Sequence, residues 1–153
     1  MNKSAVLQAI LTALHQEFEA FRALSKKTRA ASGDDESKAE GKYDTRATEE
    51  SYLADGQAKQ ALAAANALKA FERLGLRDFP DGAAADLGAL VQLEFPGETA
   101  WFFLGPAAGG LEIEIAGVSV TVITPESPLG RQLPGLTRGG ATTAPKAVVR
   151  AIA

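Results

Sequence analysis

The chain has 153 residues, 46% hydrophobic and 23% charged, with a formal net charge of −3, a single His and no Cys. That composition suits one mid-sized globular domain or two small ones and excludes disordered and collagen-like classes. The mild acidity argues against sequence-independent wrapping of duplex DNA as the main task. Without Cys there is neither a disulfide framework nor a thiolate zinc site, which fits a reducing cytoplasm. The opening Met1-Asn2-Lys3-Ser4-Ala5-Val6 has no long apolar run or small-residue cleavage pattern, and no segment approaches the ~20 apolar residues of a membrane span. A cytoplasmic protein is expected, with no membrane partner.

The first segment carries Leu7, Leu11, Leu14, Phe18 and Phe21 at alternating spacings of four and three, with Val6, Ile10 and Leu24 widening the stripe. That spacing predicts an amphipathic helix with a coiled-coil seam. Ala47, Ser51, Ala54, Ala58, Ala61, Ala65 and Leu68 repeat the spacing with small side chains. Bulky residues on one helix opposite small ones on the other favour close approach in an antiparallel hairpin. A helix of ~28 residues is ~42 Å long at 1.5 Å per residue, more than a small domain needs.

Between the two lies an acidic connection. Gly33 is placed to end the first helix in a left-handed conformation, Ser37-x-x-Glu40 matches a capping box, and Asp44 or Thr45 is placed to cap the second helix. Asp34, Asp35, Glu36, Glu40 and Asp44 crowd this turn, flanked by Lys26, Lys27, Arg29, Lys38, Lys42 and Arg46. Carboxylates so close repel one another unless solvated or neutralised, and an all-oxygen donor set suits Mg²⁺ shared with substrate phosphates. A solvated polar turn with helix-capping acids is the plainer reading of the same residues.

After Leu74-Gly75, Gly, Pro and β-branched residues become frequent. Strands are expected at 90–95 and 100–104 around a turn at 96–99, at 111–115 and 118–123 around Ala116-Gly117, and at 146–152. A short helix is expected to begin at Thr124-Pro125 or Ser127-Pro128, and Gly139-Gly140 marks a loop. Trp101, Phe102 and Phe103 place aromatics on both faces of a strand, as core with one of them available to a partner. The fold class is therefore α+β: an antiparallel coiled-coil hairpin over 1–75 with its acidic tip near 33–44, then a small antiparallel-sheet domain with a short helix over 76–153. Gly75, Pro80 and Gly82 supply a pivot between them.

This order of parts resembles the Gre family of bacterial transcript-cleavage factors over nearly the whole chain. The tip pairs Gly33-Asp34 and Ala39-Glu40 are similar to the family's Gly-Asp-x-Ser-Glu-Asn-Ala-Glu-Tyr. Val118-Ser119-Val120 followed by Glu126-Ser127-Pro128-Leu129-Gly130-Arg131 is similar to its Ile-Ser-Val and Ser-Pro-Leu/Ile-x-Arg motif. The resemblance implies an FKBP-like C-terminal fold and RNA polymerase as partner, with the hairpin entering the secondary channel and the RNA 3′ end nearby. It also implies a monomeric accessory factor, not an enzyme, that binds no cofactor tightly. Asp34 and Glu36 would be the catalytic acids, and Asp34, Asp35, Glu36 and Glu40 would hold Mg²⁺ in trans with the polymerase. Lys26, Lys27 and Arg29 would meet RNA phosphates, and Ser127, Pro128 and Leu129 would dock on the polymerase.

The chain departs from the family pattern at the tip. In ungapped alignment Asp34 takes the place of the first essential acid, but the second falls on Ser37, with Glu36 one residue early, and Tyr43 stands two residues late. A rearranged tip of this kind suits either stimulated cleavage of backtracked RNA or occupation of the channel that inhibits the polymerase. A protein-interaction adaptor without catalytic partners uses the same hairpin, and prolyl isomerisation rests on fold analogy alone, with a null assay result expected.

Overall fold

The computed structural model describes residues 1–36 and 46–153, with the side chains of 32–36, 46 and 47 outside the described set. The architecture is α+β. Two helices, α1 (Lys3–Glu36) and α2 (Arg46–Leu74), precede six strands: β1 (Leu90–Phe95), β2 (Glu98–Leu104), β3 (Glu112–Ile115), β4 (Val118–Ile123), β5 (Ala141–Thr143) and β6 (Lys146–Ile152). A 3-10 turn at Gly130–Gln132 stands before β5. By contacts the chain forms two compact units, residues 14–66 and residues 1–13 with 67–153.

Local chemistry sets two of the helix ends. Asn2 caps α1, its side-chain oxygen accepting from the Ala5 N–H at 3.2 Å. Helix α2 stops where Gly75 turns left-handed at φ 61°, its N–H donating to the Phe71 carbonyl at 3.0 Å. Gly33 does not terminate α1 as the sequence suggests, because the helix runs through it to Glu36. A mid-helix glycine costs only about 1 kcal/mol relative to Ala, which the remaining turns of a long helix absorb. Asp44 and Thr45, expected as caps of α2, lie outside the described residues.

In unit 14–66 the helices run antiparallel with a small-against-large seam. Leu14 is fully buried and Phe18 and Phe21 are half-buried on α1, while Ala54, Ala61 and Ala64 are buried on α2. The expected stripe is displaced in places: Ser51 and Leu24 are exposed. Toward the acidic end the seam turns polar. Buried Ser25 donates to the Ala54 carbonyl at 3.1 Å, and Thr28 donates to Gln57 Oε1 at 3.0 Å. Such directional bonds distinguish one helix register from its neighbours, which an alanine stripe alone does poorly.

The other unit is built on a sheet of order β3-β4-β2-β1-β6-β5. It is mixed: β2 and β4 run parallel, Trp101 opposite Val120 and Leu104 opposite Ile123. A parallel pair needs a crossover of about a dozen residues, which 105–117, containing β3, supply. Strand β2 begins at Glu98, so Pro96 and Gly97 alone form the turn, with Gly97 at φ 91°. Val91, Leu93, Leu104, Ile123 and Val149 face one core with Ala85, Ala89 and Leu133. On the opposite face Phe103 meets Phe71 of α2 with ring centroids 6.0 Å apart. Gly105 makes this approach possible, since a Cβ there would lie 2.7 Å from Phe71 Cζ and 2.9 Å from Val122 Cγ1. Trp101 and Phe102 are half-buried, Phe102 edge-on to Phe95.

The segment after α2 is tied down by charge. Arg77 bonds Asp86 at 3.0 Å and the Leu87 carbonyl at 2.6 Å, and Lys3 donates to the Arg77 carbonyl while lying 4.6 Å from the Phe79 ring centroid. The Leu87 N–H, with the Arg77 guanidinium second, holds the Asp86 carboxyl below the usual carboxylate range, and desolvation lowers Lys3.

The β3–β4 turn carries a removable strain. Ala116 and Gly117 have φ of 51° and 79°, the double positive that a type I′ hairpin requires. A left-handed Ala costs roughly 1–2 kcal/mol. Ala116→Gly is expected to raise unfolding stability by about 0.5–1 kcal/mol after the entropy cost of glycine, read from the urea midpoint. An unchanged or lowered midpoint contradicts this account of the turn.

Candidate functional site

Two separate constellations carry the candidate residues, one in each compact unit. In the hairpin, Asp34, Asp35 and Glu36 occupy the last backbone turn of α1, and their side chains lie outside the described set. Glu40 lies outside the described residues altogether. Among the described residues, no group of three or more His, Asp or Glu is placed to hold a metal. The donor set named for Mg²⁺ is all carboxylate oxygen, the ligand chemistry that ion prefers.

The cations behind the acidic segment differ from one another. Lys26 and Lys27 are exposed on α1. Arg29 reaches across to Asp55 of α2 at 3.0 Å, both side chains being more than half exposed. That pair spans the hairpin yet contributes little to stability, because solvent screens it. Lys26 and Arg22 edge a groove of about 320 Å³ whose wall is Phe18, Ala58, Ala61, Leu62 and Ala65. Leu62 is 60% exposed there, and Tyr52 and Leu53 of the same helix are 73% and 56% exposed. The periodicity of α2 did not foretell these exposed side chains, because its apolar positions exceed what a single seam can cover.

The second constellation is the loop following β4. Ser127 uses its hydroxyl twice, donating to the Thr124 carbonyl at 2.8 Å and accepting from the Gly130 N–H at 2.9 Å. Arg131 folds back to donate to the Glu126 carbonyl at 2.8 Å. The Thr124 side chain holds the Glu126 carboxyl below the usual carboxylate range. The expected helix is here only the 3-10 turn 130–132, because Ser127 closes the preceding loop as a local hydroxyl turn before helical bonds can start. Of the three docking candidates, Pro128 is exposed, Ser127 is half-buried and spent on the loop, and Leu129 packs against the sheet core.

Gln132 was not among the expected residues, although it joins this loop to β5. Its Nε2 donates to the Pro128 and Ala144 carbonyls at 2.9 and 2.8 Å, and its Oε1 accepts from the Thr143 N–H and hydroxyl at 2.8 and 3.0 Å. Both donors and both oxygen lone pairs of one amide are consumed. The result is a rigid loop presenting Pro128 at its surface.

No family model matches the chain, and neither does any curated protein. Among solved structures, GreA factor homolog 1 (Gfh1) of Thermus thermophilus matches over 96% of this chain and 94% of its own, at 19% identity and a TM-score of 0.36. A structure of the transcription factor Gfh1 matches over 94% and 93%, at 22% identity and 0.34. Thermus aquaticus Gfh1 matches over 95% and 94%, at 17% identity and 0.33. At such TM-scores the likeness assigns neither a family nor a residue role.

The loop's dependence on glycine is testable. A Cβ on Gly130 would stand 2.0 Å from the Thr124 carbonyl oxygen and 2.7 Å from Ser127 Oγ. Gly130→Ala is expected to lose about 1–3 kcal/mol in urea unfolding, against a few tenths for the exposed Pro128→Ala. A Gly130→Ala protein as stable as the parent contradicts the clasped loop.

Proposed function

We propose that this chain is a transcription elongation regulator that binds bacterial RNA polymerase and inserts the acidic end of its hairpin into the secondary channel. The observation that carries the reading is the pairing of α1 and α2. Two helices of 34 and 29 residues run antiparallel, and the sequence from the end of the first to the start of the second carries Asp34, Asp35, Glu36 and Glu40. Polar bonds across the seam at Ser25 and Thr28 set the register near that end. The Gre-like motif at 118–131 supports the same reading, its loop folded as a stiff, clasped surface. In this reading the chain is an accessory factor and the polymerase is the enzyme.

In the proposed mechanism Asp34 and Glu36 are the acids nearest the reacting RNA, with Asp35 and Glu40 beside them. Mg²⁺ shared with the polymerase would supply charge neutralisation and activate a water for RNA hydrolysis. The chain's part is to bring carboxylates to that place and hold them there, so that positioning lowers the barrier. Lys26 and Lys27, exposed on α1, would offer charge to the phosphates of extruded RNA, while Arg29 is engaged with Asp55. Pro128 is the exposed member of the docking loop, with Ser127 and Leu129 shaping it from within.

Ser37, standing where a second acid is expected, favours a second reading in which the tip occupies the channel and slows the polymerase without cleavage. A cleavage assay on backtracked complexes with the cognate polymerase separates the two. Stimulated cleavage supports the first reading, and slowed ordinary elongation without cleavage supports the second. Under the first, Asp34→Ala with Glu36→Ala is expected to reduce cleavage at least tenfold while polymerase binding is retained. Full cleavage by that double variant would remove both acids from the mechanism.

A further inference from the structure

A cleft of about 280 Å³ opens in the sheet unit, lined by the turn 80–83, Gln92 of β1, Arg138, and Arg150, Ala151 and Ile152 of β6. We propose that it is a binding site for a small oxyanion-bearing ligand, a carboxylate or phosphate compound held by Arg138 and Arg150. The volume lies at the small end of ligand sites.

Arg150 is placed by a backbone irregularity. Gln92 pairs with Ala151 and Leu93 with Val149, so Arg150 is the extra residue of a β-bulge on β6. Bulges bend a strand and re-aim a side chain. Its Nε is engaged by Glu94, which also raises its pKa. This engages one edge of the guanidinium and leaves the two terminal nitrogens as donors.

Arg138 approaches from the preceding loop. Gly139, at φ 88°, donates its N–H to the Val149 carbonyl at 2.8 Å, and the Val149 N–H donates to the Gly140 carbonyl at 2.8 Å. The loop is thereby stitched to β6 next to the bulge. Among the described residues Arg138 has no ion-pair or hydrogen-bond partner, and neither does the half-buried Gln92 amide on the same cleft. The Gln92 amide therefore keeps its donors and acceptor available to a ligand in the cleft.

The surrounding charge narrows the ligand. Residues 1–13 and 67–153 hold eight basic and nine acidic side chains, so no broad positive field gathers a polynucleotide. Asp81 on the cleft's turn adds repulsion against an extended polyanion. Two guanidiniums and an amide suit a compact group that accepts several hydrogen bonds at once.

The test is an amide NMR titration of the full chain with sodium phosphate and, separately, sodium succinate, each against sodium chloride at matched ionic strength. Saturable shifts at Gly82, Ala83, Gln92, Gly139 and Ala151 with one or both anions are expected, and the anion that saturates identifies the ligand chemistry. Arg138→Ala, which removes no hydrogen bond or ion pair among the described residues, is expected to weaken that binding at least tenfold, while Lys69→Ala at an exposed position of α2 leaves it unchanged. Absence of saturable shifts with both anions overturns the proposal, as does equal affinity in Arg138→Ala.

Discussion

The narrow seam of the hairpin rests on alanine. With Ala54, Ala61 and Ala64 buried on α2, the backbone of α1 approaches closely, and Leu14 and Phe18 fill space that larger partners would occupy. Alanine also keeps α2 helical at no propensity cost. Its weakness is specificity, since a smooth stripe of methyl groups resists sliding poorly. Ser25 and Thr28 answer this with hydrogen bonds to Ala54 and Gln57. What α1 and α2 present at their acidic ends follows from that register.

The sheet unit solves a different problem, covering both faces of six strands with little helix. The first turns of α1 and the last of α2 belong to it by contacts, and the Phe71 ring against Phe103 is held close by the bare Cα of Gly105. The opposite face is closed by loop residues such as Ala85, Ala89 and Leu133. Loops doing the work of core elements must be internally bonded, because their backbone groups find no ladder partners. Ser127 and Gln132 provide that bonding in the loop after β4, and Arg77 with Asp86 provides it in the segment before β1.

Much of this was legible in the sequence, and what was not has physical causes. Strands 90–95, 118–123 and 146–152 were identified to the residue: 118–123 by its alternation of apolar and polar side chains, 90–95 by the turn that follows it, and 146–152 by its apolar run after the Gly139-Gly140 loop. The parallel pairing of β2 with β4 left no such record, since alternation does not name the neighbouring strand. Strand β5, Ala141-Thr142-Thr143, is too short to show a period at all. The helix end at Gly33 was misjudged because a glycine stop signal is local, while a long helix is held by its seam. Phe71 reads as another apolar helix position until the sheet beneath it is known. In the candidate site, the resemblance pointed to Ser127 and Leu129, yet their bonding and burial became visible only once the loop was folded. The acidic tip is the converse: its composition is plain in the sequence, and the structure describes only its backbone as far as Glu36.

The proposal that this hairpin carries its acids to the polymerase's catalytic centre can be tested on the full chain. The chain contains no Cys, so Lys38→Cys places a single thiol within the acidic segment. A thiol-linked photo-crosslinker there, irradiated in a complex with cognate RNA polymerase on a stalled template, reports what the segment touches. The account predicts crosslinks to polymerase residues bordering the catalytic Mg²⁺ site, competed by the unlabelled chain. Crosslinks confined to the polymerase exterior, or none in a complex that still forms, would contradict it.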